Sequence, residues 1–499
     1  MKKTKFKIKL KWVIPFFTLV LLLFVLPIFF TKSSEANNLS HYSMNLAYNE
    51  ESHTLTGEQE VIYYNNSDNM FTHLYFHLYP NAFREDSKSK IVSSTNIAEA
   101  YPNGESYGKI DILKVYSQEC DYQFEIGGED KNILVVKLEK ELYPDEFVKL
   151  NINFVTILAN VNHRLGFGEN TINLGNFYPI ACVYEEGKGF SQSLYHSNGD
   201  PFYSDCANYE VSIKCDSKYE IASSGNLKSS TFSNGIKENR YVGYSMRDFC
   251  LVLSENFAVE SKKVDGIEVN YYGYNDDNNI KECLQVAVDS LITFNEMFGK
   301  YPYNQISVVK SNFIHGGMEY PGLVLISDEI ESQDNDYVII HEIAHQWWYA
   351  VVGNDEYNHA WQDEGLAEFS TLLFFKENQS YGENFDDLIA GANNSYKLFE
   401  DVYTRVQGQV DGRMDRPLCE FATEPEYVQC TYTKGVLMFN NIKDLIGDKK
   451  FLKVLKEYYS TFKFKNARPE DLISIFVDYG GRKIENLFNT WLAGKVIFK

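Results

Sequence analysis

Two histidines four residues apart, His341 and His345, lie in the stretch His341-Glu342-Ile343-Ala344-His345, and Glu364 follows nineteen residues after the second. On an α-helix this spacing sets both imidazoles on one face, one turn apart, where they can share a metal ion. The surrounding segment 336–352 is apolar almost all round (Val338, Ile339, Ile340, Ile343, Ala344, Trp347, Trp348, Val351, Val352) and reads as a buried helix stopped by Gly353. Neutral imidazole suits Zn²⁺, and three protein ligands with a fourth position left to water make a catalytic site. Glu342, beside the first histidine, is placed to take a proton from that water.

The third ligand comes from Trp361-Gln362-Asp363-Glu364-Gly365-Leu366-Ala367-Glu368-Phe369, where Glu364 and Glu368 are again one turn apart. Glu364 is assigned to the metal. Glu368 then accepts the spare N–H of a ligating histidine and fixes its tautomer. A five-residue motif also occurs in buried helices with incidental histidines. Two further stretches weigh against that: Gly316-Gly317-Met318-Glu319-Tyr320-Pro321-Gly322 upstream and Tyr432-Thr433-Lys434-Gly435 downstream.

With these four elements in order, the chain resembles the aminopeptidase N family of gluzincin zinc metallopeptidases, most strongly over 300–440. The resemblance implies one Zn²⁺ per chain held by His341, His345 and Glu364, with Glu342 as base. It implies that Tyr432 donates a hydrogen bond to the oxygen that becomes negative during the reaction. It also implies substrate contacts at Gly316, Gly317, Met318 and Glu319, where Glu319 holds the positive α-amine of a peptide. Tyr320 and Thr433 depart from the family's usual Asn and Glu and are expected to reshape the pocket. In the family an amino-terminal saddle of β-sheets sends one acidic or amide side chain into the site. Stretches 164–168, 173–179 and 199–205 are the candidates here, and none singles out one residue. Longer members continue into a helical domain that caps the cavity, and the sequence shows no counterpart of it.

Length allows two or three domains and a large core. Net charge is −22, with six lysines before residue 12 set against −28 in the remainder. Such a chain is a poor partner for nucleic acid. After those lysines, 13–30 is eighteen residues without a charge, close to the length that spans a hydrocarbon core. It reads as a signal-anchor with a cytoplasmic N-terminus and the rest exported. The alternative is a cleaved signal, with a candidate site after Ser34-Glu35-Ala36. Eight scattered cysteines lack zinc-ribbon spacing and read mostly as small buried apolar residues, although an oxidising compartment allows disulfides.

The chain therefore reads as an α+β multidomain protein. It has a Lys-rich stub and membrane helix (1–36), a β-rich saddle-like domain (37–260) and a thermolysin-like, mostly helical zinc-peptidase domain (261–499). Within the second, 55–64 suggests a strand pair and 74–79 an aromatic strand. His73 and His77, four apart on a strand, lie too far apart to chelate one ion and read as structural. Within the third, 281–298 is an amphipathic helix, 305–310 and 323–326 are strands, and 366–377 is a helix followed by a looser stretch to about 426. Helical patterns close the chain at 436–446, 450–462, 469–479 and 484–493. His359 is left as a surface or supporting residue.

The expected function is a membrane-anchored zinc aminopeptidase acting on peptides with a free N-terminus, its oligomeric state unspecified. A thermolysin-type endopeptidase and an inactive surface binding protein with a structural metal are the alternatives.

Overall fold

Strand Ser40–Asn49 shows how the sequence builds its first layer: Tyr42, Met44, Leu46 and Tyr48 are buried while Asn45, Ala47 and Asn49 face out. This period-two pattern gives a sheet with one face on the core. Residues 39–331 and 334–496 are described in this computed structural model. Ser40–Asn49 is an inner strand of a seven-stranded sheet, antiparallel to Thr54–Tyr64 and parallel to Ala207–Asp216. The segment 55–64, expected as a strand pair, is thus one continuous strand, flanked by Ser40–Asn49 upstream and by the antiparallel Phe147–Ile157 downstream. Two smaller four-stranded sheets and a two-stranded ribbon, Tyr184–Glu185 with Gly189–Phe190, complete the β-rich part. His77 is buried and stacks on Tyr79 at 4.8 Å, and neither ring nitrogen has a hydrogen-bond partner.

The catalytic part opens with a five-stranded sheet. Ile267–Tyr274 crosses through helix α1 (Ile280–Phe298) to the parallel strand Gln305–Ser311, which pairs in parallel with Leu323–Ser327. The two-residue strand Gly317–Met318 returns antiparallel at the edge of this sheet. Helix α2 (Asn335–Ala344) packs on α1, and α3 (Trp361–Glu377) packs on α2.

Helix α2 is shorter than the expected 336–352. It ends at His345, after which Trp347 and Trp348 lie in a turn and Tyr349 takes φ 129°. An all-round apolar run carries no stop signal, and the turn is set by distant partners. Trp347 Nε1 donates to Gly299 O (2.8 Å), Trp348 Nε1 to Ser370 Oγ (2.9 Å), and the Tyr349 hydroxyl to Asp248 Oδ2 (2.6 Å).

The stretch expected to be loose holds a 23-residue helix, α4 (Phe385–Gln407). The Asn384 side chain caps it by accepting from the N–H groups of Asp386 and Asp387, and Gly408 ends it at φ 87°. Tyr396 and Phe399 are fully buried along it, and Phe385, Leu388, Ile389, Ala392 and Tyr403 extend the same apolar stripe, half-buried against the core. Helix α5 (Lys434–Ile446) packs on α3, and α6 (Asp448–Phe462), α7 (Pro469–Gly480) and α8 (Arg482–Leu492) close the bundle. All eight cysteines are unpaired, and six of them are buried. The expected membrane segment 13–30 lies outside the described residues; among those described, no helix is long and apolar enough to cross a membrane.

Helices α3 and α5 meet at two glycines. A Cβ on Gly435 would lie 2.6 Å from the Gly365 Cα, backbone that cannot give way. Gly435→Ala is therefore expected to cost about 1–3 kcal/mol, read as a lower urea midpoint at unchanged m-value. Gly391, in the exposed face of α4 with nothing within 4 Å of an added Cβ, gives the opposite sign: Gly391→Ala stabilises by up to about 1 kcal/mol.

Candidate active site

His341 lies in the last turn of α2 and His345 caps it, still in helical conformation, so the one-turn spacing survives the early end of the helix. Glu364 lies in the first turn of α3. The three side chains converge. His345 Nε2 is 3.1 Å from His341 Nε2 and 3.2 Å from Glu364 Oε2, and His341 Nε2 is 3.4 Å from Glu364 Oε2. All three residues are buried.

The opposite nitrogens point outward. His345 Nδ1 lies 2.9 Å from the carbonyl oxygen of Trp348, and His341 Nδ1 lies 2.8 Å from Glu368 Oε2. Glu368 accepts a second hydrogen bond from the Tyr337 hydroxyl at 2.6 Å. Both Nε2 atoms therefore turn their lone pairs inward. Ligands about 2.0–2.1 Å from a tetrahedral ion are roughly 3.3 Å from one another, and the three separations cluster around that value. The donor set fits zinc.

Burial works against charging His341, but hydrogen bonds to Glu364 and Glu368 outweigh it and push the imidazole up to about 10. Burial likewise opposes ionising Glu364, yet His341 and His345 hold it down at about 2. This is a field that attracts positive charge. Burial pushes Glu342 up to about 7, with His341 and His345 pulling against it. Glu342 is the helical neighbour of His341, and a Cβ on Gly317 would run into its carboxyl group. Only glycine lets the edge strand pass there.

Tyr432 reaches the site from a π-helical turn, Gln429–Thr433, between the short helix Glu424–Val428 and α5. Its hydroxyl donates to Glu364 Oε1, and its ring stacks on His341 at 5.8 Å. Tyr427 donates to the same oxygen at 3.3 Å. π-turns occur often at functional sites, because one extra residue re-aims a side chain.

Glu319 follows the edge strand and is buried, with Oε1 4.0 Å from His345 Nδ1 and no hydrogen-bond partner for that oxygen. Met318 is wholly buried in the core, paired across the sheet with Leu325. Tyr320 is also buried and donates to Asn176 Oδ1 at 3.0 Å, so this departure from the motif packs beneath the cavity instead of reshaping it. His359 points elsewhere, its Nδ1 2.6 Å from Asp415 Oδ1.

A cavity of about 350 Å³ is lined by His341, Glu342, Tyr432, Gly316, Gly317 and Glu368 from the motif stretches. Asp200 and Arg164 join them from the β-rich part and form an ion pair with each other. The sequence confined these two to candidate stretches. Neither sits in a spacing pattern that would have picked it out.

This arrangement of two helical histidines, a glutamate on the next helix and an adjacent carboxylate base defines a gluzincin-type metal centre. The model of the Peptidase family M1 domain matches residues 282–491 of this chain. Among curated relatives, it is 27% identical over 299 residues to endoplasmic reticulum aminopeptidase 2 of Homo sapiens, covering 54% of this chain and 29% of that protein. It is 28% identical over 255 residues to aminopeptidase M1-D of Oryza sativa subsp. japonica, covering 47% and 28%. The aligned part spans under a third of these relatives' length. The fold matches that of an M1 zinc metallopeptidase from Deinococcus radiodurans with a TM-score of 0.64 at 16% identity, covering 92% of this chain and 95% of that one.

Glu368→Gln removes the carboxylate beside His341 while keeping its size. Zinc retention, measured by competition with a chelator, should weaken by about 10–100-fold. Retention equal to wild type would show that Glu368 does not orient His341.

Proposed function

We propose that this chain is a zinc aminopeptidase that removes residues from the N-terminus of peptides. His341, His345 and Glu364 would hold the metal. The observation that carries the reading is the presence beside this centre of two further carboxylates, Glu319 with Oε1 4.0 Å from His345 Nδ1 and Asp200 on the cavity wall. Glu319 is buried with an unpartnered oxygen, and Asp200 enters from the β-rich part. Carboxylates there suit an ammonium group, and the first amine of a peptide supplies one. The relatives' names support the reading, and a variant of the Deinococcus radiodurans enzyme was solved with a Tyr-Ser-Ala substrate.

Bound zinc would supply Lewis acidity to the scissile carbonyl and to water. Glu319 and Asp200 hold the α-amine and fix the register, so that the first peptide bond faces Glu342. The substrate backbone lies along the edge strand Gly317–Met318, whose outer side has no strand partner. Glu342 takes a proton from the attacking water and passes it to the leaving amine. A carboxyl poised near neutrality suits both transfers. Tyr432 gives up its hydrogen bond to Glu364 and donates to the carbonyl oxygen as negative charge develops there. Glu368 keeps His341 in the tautomer that presents Nε2. The Lys-rich start and the uncharged stretch 13–30 support an outward-facing, membrane-anchored enzyme.

Aminoacyl fluorogenic substrates, assayed beside the same compounds with acetylated amines, separate the alternatives. Chelator-sensitive cleavage of the free-amine set alone is expected. Cleavage of the acetylated set would make the protein an endopeptidase. Glu342→Gln should lower kcat by at least about 10²-fold with one zinc per chain retained, and full turnover in that variant would sink the mechanism.

A further inference from the structure

Arg164 is an unusual residue to find in this cavity. Its side chain is 5% exposed, and its guanidinium carbon lies 5.1 Å from the Phe202 ring and 6.0 Å from the rings of Tyr195 and Phe313. Such a cage fixes a flat cation in position by packing on its faces. One terminal nitrogen bonds Asp200 Oδ1, while Nε is buried without a hydrogen-bond partner. An unmet buried donor costs about 1–3 kcal/mol, so the arginine is held where it is by something other than its own satisfaction.

Asp200 explains the placement. It sits in the long connection 191–206, just after Gly199, a residue at φ 62° where an added Cβ would run into the Tyr427 hydroxyl. From there it is close enough to feel the charges of Glu364 and His345. Glu319 and Glu342 feel its charge in turn. Left alone, a carboxylate on a loop facing other carboxylates would swing away toward solvent. The caged guanidinium supplies a fixed cation from the β-rich part and ties Asp200 Oδ1, while Asp200 itself lines the cavity.

We infer that Arg164 is a positioning residue for substrate binding: it clamps Asp200 so that its free oxygen, opposite Glu319, receives the α-amine. The inference rests on the aminopeptidase reading and adds that Arg164 works through Asp200, without touching the substrate.

A double-mutant cycle on the zinc-loaded full chain tests it, using leucyl-aminomethylcoumarin and its glutamyl and glutaminyl counterparts. Asp200→Asn should raise KM for the leucyl substrate by about 10–100-fold with a smaller change in kcat. Arg164→Gln should do nearly the same, Arg164→Lys should restore part of the loss, and the double variant should be no worse than Asp200→Asn alone. Additive effects would overturn the clamp. So would a specific loss of the glutamyl over the glutaminyl substrate in Arg164→Gln, which would make Arg164 a direct reader of a substrate carboxylate. If Arg164→Gln matches wild type while Asp200→Asn does not, the clamp fails and the amine site stands. If Asp200→Asn leaves KM unchanged, Asp200 is not part of the amine site and the clamp falls with it. Should Arg164→Gln fail to fold, Arg164→Lys against Asp200→Asn completes the same cycle.

Discussion

Asp200, Glu319, Glu342, Glu364 and Glu368 crowd one site, with Asp363 buried next to Glu364 and the Arg164 guanidinium bonded to Asp200. Burying one unpaired charge costs several kcal/mol, and a group of like charges costs more. The fold tolerates the arrangement because it is built to receive positive charge twice. A dication between the imidazoles and Glu364 would offset part of the excess, and on the proposed aminopeptidase reading the ammonium end of a peptide would offset more. On that reading, substrate selection and metal binding draw on the same electrostatic deficit.

How much of this could be read from the sequence depended on the range of each contact. The metal triad was legible because its geometry is local: four residues within a turn of helix, then a glutamate in the first turn of the next helix. Glu368 could be placed by the same one-turn argument, and it lies beside His341. The end of α2 could not, because Tyr349 and the two tryptophans are turned by Asp248, Gly299 and Ser370, residues from three other segments. Helix α4, by contrast, does carry a local signal: Phe385, Leu388, Ile389, Ala392, Tyr396, Phe399 and Tyr403 recur at helical spacing between the Asn384 cap and Gly408, although only Tyr396 and Phe399 are fully buried. Arg164 and Asp200 belong to loops whose positions are set by sheets pairing over more than a hundred residues, and no local pattern encodes that.

The tyrosine that completes the site depends on helix packing more than on its own motif. Gly365 and Gly435 let α3 and α5 approach until backbone nearly meets backbone. That contact fixes the start of α5, and the π-turn before it aims Tyr432 at Glu364. The glycine immediately after Glu364 and the glycine ending the tyrosine motif therefore serve the same purpose. They set the distance between an acid and a hydroxyl that must share one small space.

Tyr320 shows why the β-rich part and the catalytic part work as one unit. Where relatives of this family carry asparagine, this chain places a buried tyrosine whose hydroxyl bonds Asn176. Nearby, Asn312 N donates to Thr171 Oγ1 at 3.1 Å, Asn173 Nδ2 donates to Asn312 O at 3.1 Å, and Ser311 Oγ donates to Asn173 Oδ1 at 2.8 Å. These buried bonds stitch the loops of the small β-sheet to the five-stranded sheet that carries Glu319. On the proposed reading, an amine site split between the two parts, with Glu319 on one and Asp200 on the other, would hold its geometry only if the seam does not slide. A network of satisfied buried hydrogen bonds resists sliding, because each lost bond leaves a polar atom stranded. The departure at Tyr320 thus acts on the seam beneath the site, and the shape of the substrate cavity is left to Gly317, Tyr432 and the Arg164–Asp200 pair.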